Sequence, residues 1–348
     1  MKNILFFDVR ENETEALQSC CKAKDEYKKA CQTECKCQLF SERLDEKTII
    51  NDSMKEANVI SCFTFSRVTA DVLKQFLNLK LIALRSVGFN HIDIDYCKEK
   101  GITVVNSFGY GNVTVAEFAF GLILDVMRKV TRSYMNLREE RAYSDNYMGF
   151  ELKDATIGII GTGAIGSEAV RIAKGFGMDV LAYDPYPKKE LIEKYSVKYI
   201  ELDDLLKNSD VISLHTPLTK DNFHMINEEK IKLMKPNSVI INTARGELIN
   251  TQALYEALSK NKIFGAGLDV FEAENMLTQP DSTLDFDYLT SDIIRQTFIN
   301  ERLLKLHNVV VTPHIAYNSR EAQKRILNIT LDNISSFFEG KTVNSVIK

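Results

Sequence analysis

Short apolar runs alternate with helical stretches in the first third of the chain. Runs of this length that end at charged residues are typical of buried strands. Residues 70–77 have helical spacing and lie between two of these runs. Strands that alternate with helices indicate a parallel sheet covered on both faces. The predicted strands are residues 3–9, 59–63, 81–84 and 103–105.

A second series of the same kind begins at Ala155, where ATIGIIG predicts a strand. Regular strand–helix units of this kind form a doubly wound domain. The further strands are predicted at residues 180–183, 211–214, 239–242, 264–268 and 309–312, and the helices between them at 164–176, 202–207 and 251–259.

The order of elements predicts an α/β protein of two Rossmann-like, doubly wound parallel-sheet domains with an active-site cleft between them. A last helix, residues 319–338, has apolar positions at helical spacing, and we expect it to return to the first domain. The discontinuous substrate domain then comprises residues 1–105 plus 313–348, and residues 106–312 form the nucleotide-binding domain. The polar stretch 278–300 is expected to be an insertion on the rim.

Residues 113–132 predict a helix whose N-terminal half is almost entirely apolar. Glu117 and Asp125 are the charged residues that interrupt it. A helix that is so apolar is buried, either in a core or in a subunit interface. The pattern alone leaves both alternatives open.

The composition is that of an ordinary globular protein and argues against two classes of partner. The 348 residues carry 44 Lys plus Arg and 48 Asp plus Glu, a net charge of −4, whereas nucleic-acid binders usually carry a basic surface. No stretch approaches the ~18 uncharged apolar residues of a membrane helix. The first apolar run is too short for a signal peptide. We therefore expect a cytoplasmic protein that binds neither nucleic acid nor membrane.

The seven cysteines all lie in the first 97 residues, at positions 20, 21, 31, 35, 37, 62 and 97. Their odd number and the size of the chain argue against a disulfide scaffold. Cys31, Cys35 and Cys37 are close enough to suggest zinc, but paired CxxC knuckles are absent and no histidine precedes His91. We therefore expect reduced thiols without a structural role, and no metal.

The strongest local signal is GTGAIG, which follows a predicted strand and opens a predicted helix. Gly161 permits the tight turn, Gly163 lets the backbone approach a pyrophosphate, and Gly166 allows close helix–strand packing. The pyrophosphate would meet the positive end of the helix. Asp184 ends the next strand, 18 residues after Gly166, near the ~20 of a dinucleotide fingerprint. Its carboxylate would bind the ribose hydroxyls and repel the extra phosphate of NADP, so the motif predicts NAD.

Further polar side chains follow later strands, where open α/β sheets bind their ligands. Arg245 comes after the strand 239–242, and its planar guanidinium suits a substrate carboxylate at two points. His314 follows the last strand, and we expect Glu274 to hydrogen-bond its ring and raise its pKa, as a general acid requires. His215 ends another strand and is expected to face the cofactor. The other histidines are interpreted as solvated or surface residues: His91, His224 and His307.

Together these motifs resemble the D-2-hydroxyacid dehydrogenase family, and most closely its fermentative D-lactate dehydrogenases. The similarity covers about residues 59–338. It is carried by LRSVGFNHID, the fingerprint ending in AYDPYP, SLHTPLT, INTARGELIN, GLDVFEAE and VTPHIAY. The resemblance implies a catalytic set of Arg245, Glu274 and His314. It also implies a homodimer built around the helix that begins near Val113.

The resemblance further implies the residues that bind substrate and cofactor. The backbone of Val87 and Gly88 would hold the substrate carboxylate with help from Tyr110. Phe63, Tyr110 and Tyr317 would select the substrate side chain. Beyond the fingerprint glycines and Asp184, NAD contacts would come from Ala164, Ile165, His215, Thr216, Pro217, Asn222, Thr243, Ala244 and Asp269, the last near the nicotinamide.

The implied reaction is reduction of a small 2-keto acid, most simply pyruvate, to its D-2-hydroxy acid, with hydride from NADH and a proton from His314. Tyr110 departs from the lactate pattern, because Gly109 and Gly111 stand where lactate-type members commonly have prolines. That feature resembles hydroxypyruvate or glycerate-type members, so reduction of these or of several keto acids stays an alternative. A non-enzymatic NAD-sensing protein, as in the related transcriptional corepressors, is a further alternative, although binding alone needs no proton donor.

Overall fold

The chain, described here by a computed structural model, forms two compact units, each built on its own parallel sheet. One unit comprises Met1–Tyr110 and Ser319–Lys348, and the other comprises Gly111–Asn318. The predicted α/β class with two parallel-sheet domains is confirmed. The observed unit boundaries lie a few residues after those expected from the sequence. The structure describes residues 2–21, 35–139, 147–274 and 290–347.

The sheet of the first unit has five strands in the order β2-β1-β3-β4-β5, all parallel. Alternate apolar residues point to opposite faces. Leu5 and Ile60 therefore join the core on one face, and Ile4 and Val59 join the core on the other. The strands are β1 (Lys2–Phe6), β2 (Cys35–Leu39), β3 (Val59–Cys62), β4 (Leu81–Leu84) and β5 (Thr103–Val105).

The sheet of the second unit has seven strands in the order β12-β11-β10-β9-β6-β7-β8. The chain runs outward in opposite directions from β6, which pairs with β7 on one side and β9 on the other. Doubly wound sheets bind ligands at such a switch point, beyond the carboxyl ends of the strands. The strands are β6 (Thr156–Ile160), β7 (Asp179–Tyr183), β8 (Lys198–Tyr199), β9 (Val211–Leu214), β10 (Val239–Asn242), β11 (Gly265–Leu268) and β12 (Val309–Val311).

Helices cover both faces of the two sheets. Among them, the last helix packs Leu327, Leu331 and Ile334 on the first sheet beside Ile4 and Leu81. In chain order the helices are α1 (Glu11–Cys21), α2 (Asp52–Lys55), α3 (Ala70–Leu73), α4 (Ile94–Lys100), α5 (Asn112–Arg128), α6 (Val130–Glu139), α7 (Ala164–Gly175), α8 (Lys189–Tyr195), α9 (Leu202–Asn208), α10 (Glu228–Leu233), α11 (Thr251–Ser259), α12 (Ser291–Leu304) and α13 (Arg320–Phe338).

The apolar helix α5 is a core helix of the second unit. Its buried residues, such as Leu122 and Val126, share one cluster with Ile157 of β6 and Ile241 of β10. The predicted single helix over 113–132 was wrong in extent. The chain breaks at Lys129, which adopts a left-handed φ of 53°, and α6 follows with no buried residue.

Two further expectations need correction. The stretch 278–300 is not a polar insertion throughout, because α12 occupies its second half and buries Ile299; residues 278–289 lie outside the described residues. Cys37 is disulfide-bonded, contrary to the expectation of reduced thiols, whereas Cys62 and Cys97 are free thiols. The side chains of Cys20, Cys21 and Cys31 lie outside the described residues.

Two absences apply to the described part of the chain. It contains no helix long and apolar enough to cross a membrane. It also contains no group of three or more His, Cys, Asp or Glu side chains arranged to hold a metal ion. Cys31, which belonged to the zinc alternative, lies outside the described residues.

Candidate active site

The turn after β10 carries Arg245, and a buried asparagine shapes this turn. The Asn242 side chain accepts from the amide of Ala244 at 3.0 Å and donates to the carbonyl of Arg245 at 2.8 Å. A side chain that bonds both sides of a turn fixes the backbone direction. The half-buried guanidinium of Arg245 also donates to the carbonyl of Ala244 at 2.5 Å.

His314 and Glu274 are in direct contact. The Nδ1 of His314 lies 2.6 Å from Oε1 of Glu274. The side chains are 44% and 22% exposed, respectively. The contact leaves Nε2 as the ring atom that would face a substrate. The structure therefore joins two of the three side chains in the implied catalytic set.

Asp269 holds the segment that presents His314. One carboxylate oxygen accepts from Oγ1 of Thr312 at 2.6 Å and from the amide of Ile315 at 2.9 Å. The other accepts from the amide of Ala316 at 2.9 Å. His314 itself adopts a left-handed φ of 52°, which is uncommon for a non-glycine residue and is often found at functional sites. Asp269, which is buried, thus stabilises an unusual backbone conformation.

Opposing effects act on the pKa of His314, and the net result is a raised pKa. Burial is the largest single effect and lowers the pKa, because it disfavours the charged ring. The hydrogen bond and negative charge of Glu274, with the charge of Asp269, raise it and prevail. Arg245 is near enough for its positive charge to lower the pKa. The ring therefore keeps its proton to higher pH than a free histidine.

The glycine fingerprint forms a close turn between β6 and α7. Gly161 has a left-handed φ of 90°, and a Cβ on Gly166 would lie 1.9 Å from the carbonyl oxygen of Gly161. Both positions therefore require glycine. A Cβ on Gly163 would meet nothing within 4 Å, so open space lies at the start of α7. No side chain caps this helix at Gly163, which leaves its first amides for an anion.

Asp184, at the end of β7, braces the same turn. Its Oδ2 accepts from the amide and the hydroxyl of Thr162 at 2.6 and 3.0 Å, and its Oδ1 accepts from the amide of Tyr186 at 2.8 Å. The carboxylate is half-buried, so it presents a fixed negative charge beside the open space at Gly163. This arrangement fits a ribose diol and disfavours a phosphate in its place.

Two buried polar atoms at the neighbouring strand ends lack partners among the described residues. They are Nδ1 of His215 and Oγ1 of Thr243. His215 follows β9 and Thr243 follows β10, and the last residues of these strands, Leu214 and Asn242, are aligned in the sheet. Burial lowers the pKa of His215 to about 4, and its Nε2 lies 2.9 Å from Oγ of Ser213. Orphaned buried groups are costly, so their presence at the switch point fits a ligand such as NAD.

The remaining predicted cofactor residues lie along the same edge. Ala164 and Ile165 form the first turn of α7, and Ala244 is in the Arg245 turn. Thr216 and Pro217 follow β9, where Asn222 closes the loop. The Asn222 side chain donates to the carbonyl of Pro217 at 2.8 Å and accepts from the amide of Thr219 at 2.7 Å. Asn222 thus has a loop-shaping role, in addition to any contact with the cofactor.

The predicted substrate residues of the first unit lie after strand ends: Phe63 directly after β3, Val87 and Gly88 after β4, and Tyr110 after β5. The carbonyl of Val87 accepts from Asn106 at 2.9 Å, and that of Gly88 accepts from the hydroxyl of Ser86 at 2.7 Å. Both bonds fix the loop whose backbone the resemblance assigns to the substrate. Tyr110 is buried, and its carbonyl accepts from Arg325 at 2.6 Å. Tyr317, which is half-buried, belongs to the second unit.

Gly109 is more than a neutral replacement for proline. Its φ is 89°, whereas a proline ring fixes φ near −65°. The backbone before Tyr110 therefore follows a path that lactate-type prolines would not allow.

The histidines interpreted as solvated or surface residues differ from one another. His307 is exposed, as expected. His91 is half-buried and burial lowers its pKa to about 4, so the expectation of a solvated ring was wrong. His224 is also not a simple surface residue, because its Nε2 lies 2.7 Å from Oε1 of Glu272. Sequence reasoning missed Glu272, and its only signal was its position two residues before Glu274.

Comparisons with known proteins identify the family. Residues 120–316 match the family described as D-isomer specific 2-hydroxyacid dehydrogenase, NAD binding domain. The D-lactate dehydrogenase of Escherichia coli is 41% identical over 277 residues, covering 80% of this chain and 81% of that protein. The hydroxypyruvate reductase of Thermotoga maritima is 41% identical over 290 residues, covering 83% and 87%.

A solved structure agrees with these matches over almost the full length. The D-lactate dehydrogenase of Aquifex aeolicus, complexed with NAD and lactic acid, has a TM-score of 0.82 and 37% identity, covering 99% of each chain. Together with the nucleotide turn and the arginine, glutamate and histidine at the strand ends, these matches establish that the chain belongs to the D-isomer specific 2-hydroxyacid dehydrogenase family and is an NAD-dependent oxidoreductase.

Proposed function

We propose that the protein reduces pyruvate to D-lactate, with Arg245, Glu274 and His314 as the catalytic side chains. The observation that carries the proposal is the 2.6 Å contact between His314 and Glu274. A carboxylate on Nδ1 orients the imidazole and stabilises its charged form. Such a pair suits proton transfer to a keto oxygen, and a protein that only senses NAD has no need for it.

Each side chain has a distinct task in this proposal. His314 donates its Nε2 proton to the keto oxygen, and in the reverse direction it accepts the hydroxyl proton. Glu274 keeps the ring charged and oriented. Arg245 binds the substrate carboxylate and stabilises the negative charge that develops on the oxygen. Bound NADH would supply the hydride.

The cofactor residues in this proposal are those at the carboxyl edge of the second sheet. The backbone at Gly163, Ala164 and Ile165 would hold the pyrophosphate, and Asp184 would hold the ribose. The orphaned atoms of His215 and Thr243 would gain partners from the cofactor. The amides of Val87 and Gly88 would bind the substrate carboxylate. The domain predicted over residues 1–105 plus 313–348 would then bind the substrate, and the domain predicted over 106–312 would bind NAD.

Hydroxypyruvate is the second candidate substrate, for two reasons. Tyr110 is flanked by glycines, and the Thermotoga maritima hydroxypyruvate reductase is as similar to this chain as the Escherichia coli D-lactate dehydrogenase.

The deciding experiment follows NADH oxidation with pyruvate, hydroxypyruvate, 2-ketobutyrate, 2-ketoisocaproate and phenylpyruvate. We expect the highest kcat/KM with pyruvate, and in reverse NAD reduction with D-lactate and not L-lactate. A hydroxypyruvate preference would replace the proposed substrate and leave the proposed chemistry in place.

The chemistry is tested by His314→Gln, which keeps a polar side chain but has no ionisable proton donor. We expect turnover to fall about 10²- to 10⁴-fold, while NADH affinity measured by titration calorimetry stays near that of the wild type. Retained turnover would contradict the role of His314 as proton donor.

We also propose that the protein is a homodimer and works in the cytoplasm. The dimer is supported by the family resemblance and by the exposed apolar side chains of α6. The cytoplasmic location rests on the sequence argument alone.

A further inference from the structure

A second histidine–carboxylate pair lies close in the chain to the proposed catalytic pair, and the proposed reaction does not use it. Nε2 of His224 is 2.7 Å from Oε1 of Glu272, and the two side chains are 26% and 16% exposed. Glu272 precedes Glu274 by two residues in the segment that follows β11. His224 lies between β9 and α10 and adopts a left-handed φ of 52°.

Asn250, the N-cap residue of α11, determines which ring nitrogen of His224 carries the hydrogen. Oδ1 of Asn250 accepts from the amide of Ala253 at 2.9 Å, which fixes the orientation of this amide group. Its Nδ2, which can only donate, therefore faces Nδ1 of His224 at 3.2 Å. Nδ1 accepts this bond, so the ring carries a hydrogen on Nε2 and donates it to Glu272.

Glu272 receives hydrogen bonds from two further segments. Its Oε2 accepts from the amide and the hydroxyl of Thr251, the first residue of α11, at 2.9 and 2.7 Å. Its backbone carbonyl accepts from Nδ2 of the buried Asn300 in α12 at 2.6 Å. One residue therefore connects the segment after β11 to the start of α11, to α12 and to His224.

The same contacts connect to the turn that carries Arg245. The amide of His224 donates to the carbonyl of Glu247 at 2.9 Å. A Cβ on Gly246 would lie 2.2 Å from the carbonyl carbon of Phe271, so the backbone after Arg245 touches the backbone before Glu272. His224 is thus hydrogen-bonded to both segments: its amide bonds the segment that carries Arg245, and its ring bonds the segment that carries Glu274.

We propose that His224 and Glu272 are positioning residues. They hold the turn that carries Arg245 and the segment that carries Glu274 in the relative position that lets Glu274 contact His314. The inference rests on the proposed function. Glu274 follows Glu272 by two residues, and the amide of Phe271 donates to Oε2 of Glu274 at 3.4 Å. A shift of residues 271–274 would therefore move the carboxylate that contacts His314.

Two substitutions of His224 separate positioning from general stability. His224→Leu removes both ring nitrogens, whereas His224→Gln keeps an amide that donates at about the position of Nε2. We expect His224→Leu to lower kcat about 10- to 100-fold, because small misplacements of catalytic groups have effects of this size, with the KM for NADH unchanged. In His224→Leu the pH at which the reduction rate is lost should also be lower, because a displaced Glu274 would raise the pKa of His314 less. His224→Gln should recover most of the kcat.

A matched control is Lys235→Met. Lys235 Nζ bonds Asp210 at 2.8 Å, and Asp210 also accepts from the amide of Thr156. This charged pair connects segments of the same unit at the amino ends of β6 and β9, away from the site. We expect wild-type kcat and an unchanged pH profile in the control. If His224→Leu does not fold, Thr251→Val removes one donor to Glu272 with little change of shape and should show a smaller loss of kcat.

The assay uses NADH with whichever of pyruvate and hydroxypyruvate the wild type reduces faster, and it includes His314→Gln. The inference would be overturned if folded His224→Leu had the kcat and pH profile of the wild type. If His224→Leu does not fold, the same result in Thr251→Val would overturn it. An equal loss in Lys235→Met, or no recovery in His224→Gln, would do the same. If His314→Gln loses turnover in these experiments, the proposed function stands by itself. If it keeps turnover, the proposed function fails and the inference with it.

Discussion

The protonation of His314 is governed by its neighbours, and this gives a pH dependence with a definite sign. Burial lowers the pKa, but Glu274 and Asp269 prevail and raise it above 6.5. In the proposed mechanism reduction uses the protonated ring, so the rate is high at low pH and is lost as the pH rises through the raised pKa. In Glu274→Gln the carboxylate charge is gone, and we expect this loss to occur at lower pH. The measurement is kcat/KM for keto acid reduction across the pH range.

The control for this experiment is Glu190→Gln, which removes an exposed carboxylate from α8 of the same unit. It should leave the pH profile at its wild-type position. Superimposable profiles for Glu274→Gln and the wild type would show that Glu274 does not set the protonation of His314.

At the same scale, the sequence indicates some side chains of the site and not others. Arg245, Glu274 and His314 all follow strands, and the carboxyl ends of parallel strands meet at one edge, so their proximity follows from topology. The role of Glu272 does not follow, because its partners lie in α11, in α12 and at His224, far away in the sequence. His224 looks like a surface residue when only its neighbours in the chain are considered.

At the scale of elements, the turn into α7 depends on the absence of a side chain. Gly166→Ala would place a Cβ 1.9 Å from the carbonyl oxygen of Gly161, and this backbone atom cannot move without opening the turn. We therefore expect a loss of stability of about 1–3 kcal/mol from overpacking, together with a large loss of NADH affinity. Thermal unfolding and titration calorimetry with NADH measure the two effects.

Gly175→Ala is a control in the same helix. A Cβ there meets nothing within 4 Å, and Gly175 is the last residue of α7, so the substitution should change the stability by less than the ~0.5–1 kcal/mol of a helix interior and leave NADH affinity unchanged. If Gly166→Ala and Gly175→Ala changed stability and NADH affinity equally, the close packing of Gly166 against Gly161 would not be the cause of the effects.

The strands that the sequence predicts most accurately are the central ones, since residues buried on both faces give continuous apolar runs. The strand β2, with the sequence CKCQL, gives no such run, because it lies at the edge of its sheet and pairs with β1 alone. The helix α12 is missed for a similar reason. It buries only Ile299, Asn300 and Leu303, all in its second half, so its apolar stripe is too short to distinguish it from a loop.

At the scale of the whole molecule, the helix α6 presents apolar side chains on the surface of its unit. The apolar residues of α5 are largely used inside the second unit, where they pack against its sheet. The helix α6 has no buried residue, and Val130, Tyr134 and Leu137 are 56%, 57% and 66% exposed. Grouped apolar side chains on a surface mark interaction sites. The family resemblance implies a homodimer built around the helix that begins near Val113, which is α5 in the structure. Because α6 follows α5 directly, we expect a second copy of the chain to cover the apolar side chains of α6.

Leu137→Glu tests this expectation, because a charge buried without a partner in an interface is strongly unfavourable. Sedimentation equilibrium of the wild type should give twice the chain mass of 39.6 kDa. Leu137→Glu should shift the monomer–dimer equilibrium towards the single chain. Ile192→Glu, on an exposed position of α8, is the control and should leave the mass unchanged. A wild type that sediments as one chain would exclude the dimer. A Leu137→Glu variant that stays dimeric would move the interface away from α6, because a carboxylate tolerated at Leu137 shows that the side chain stays in water.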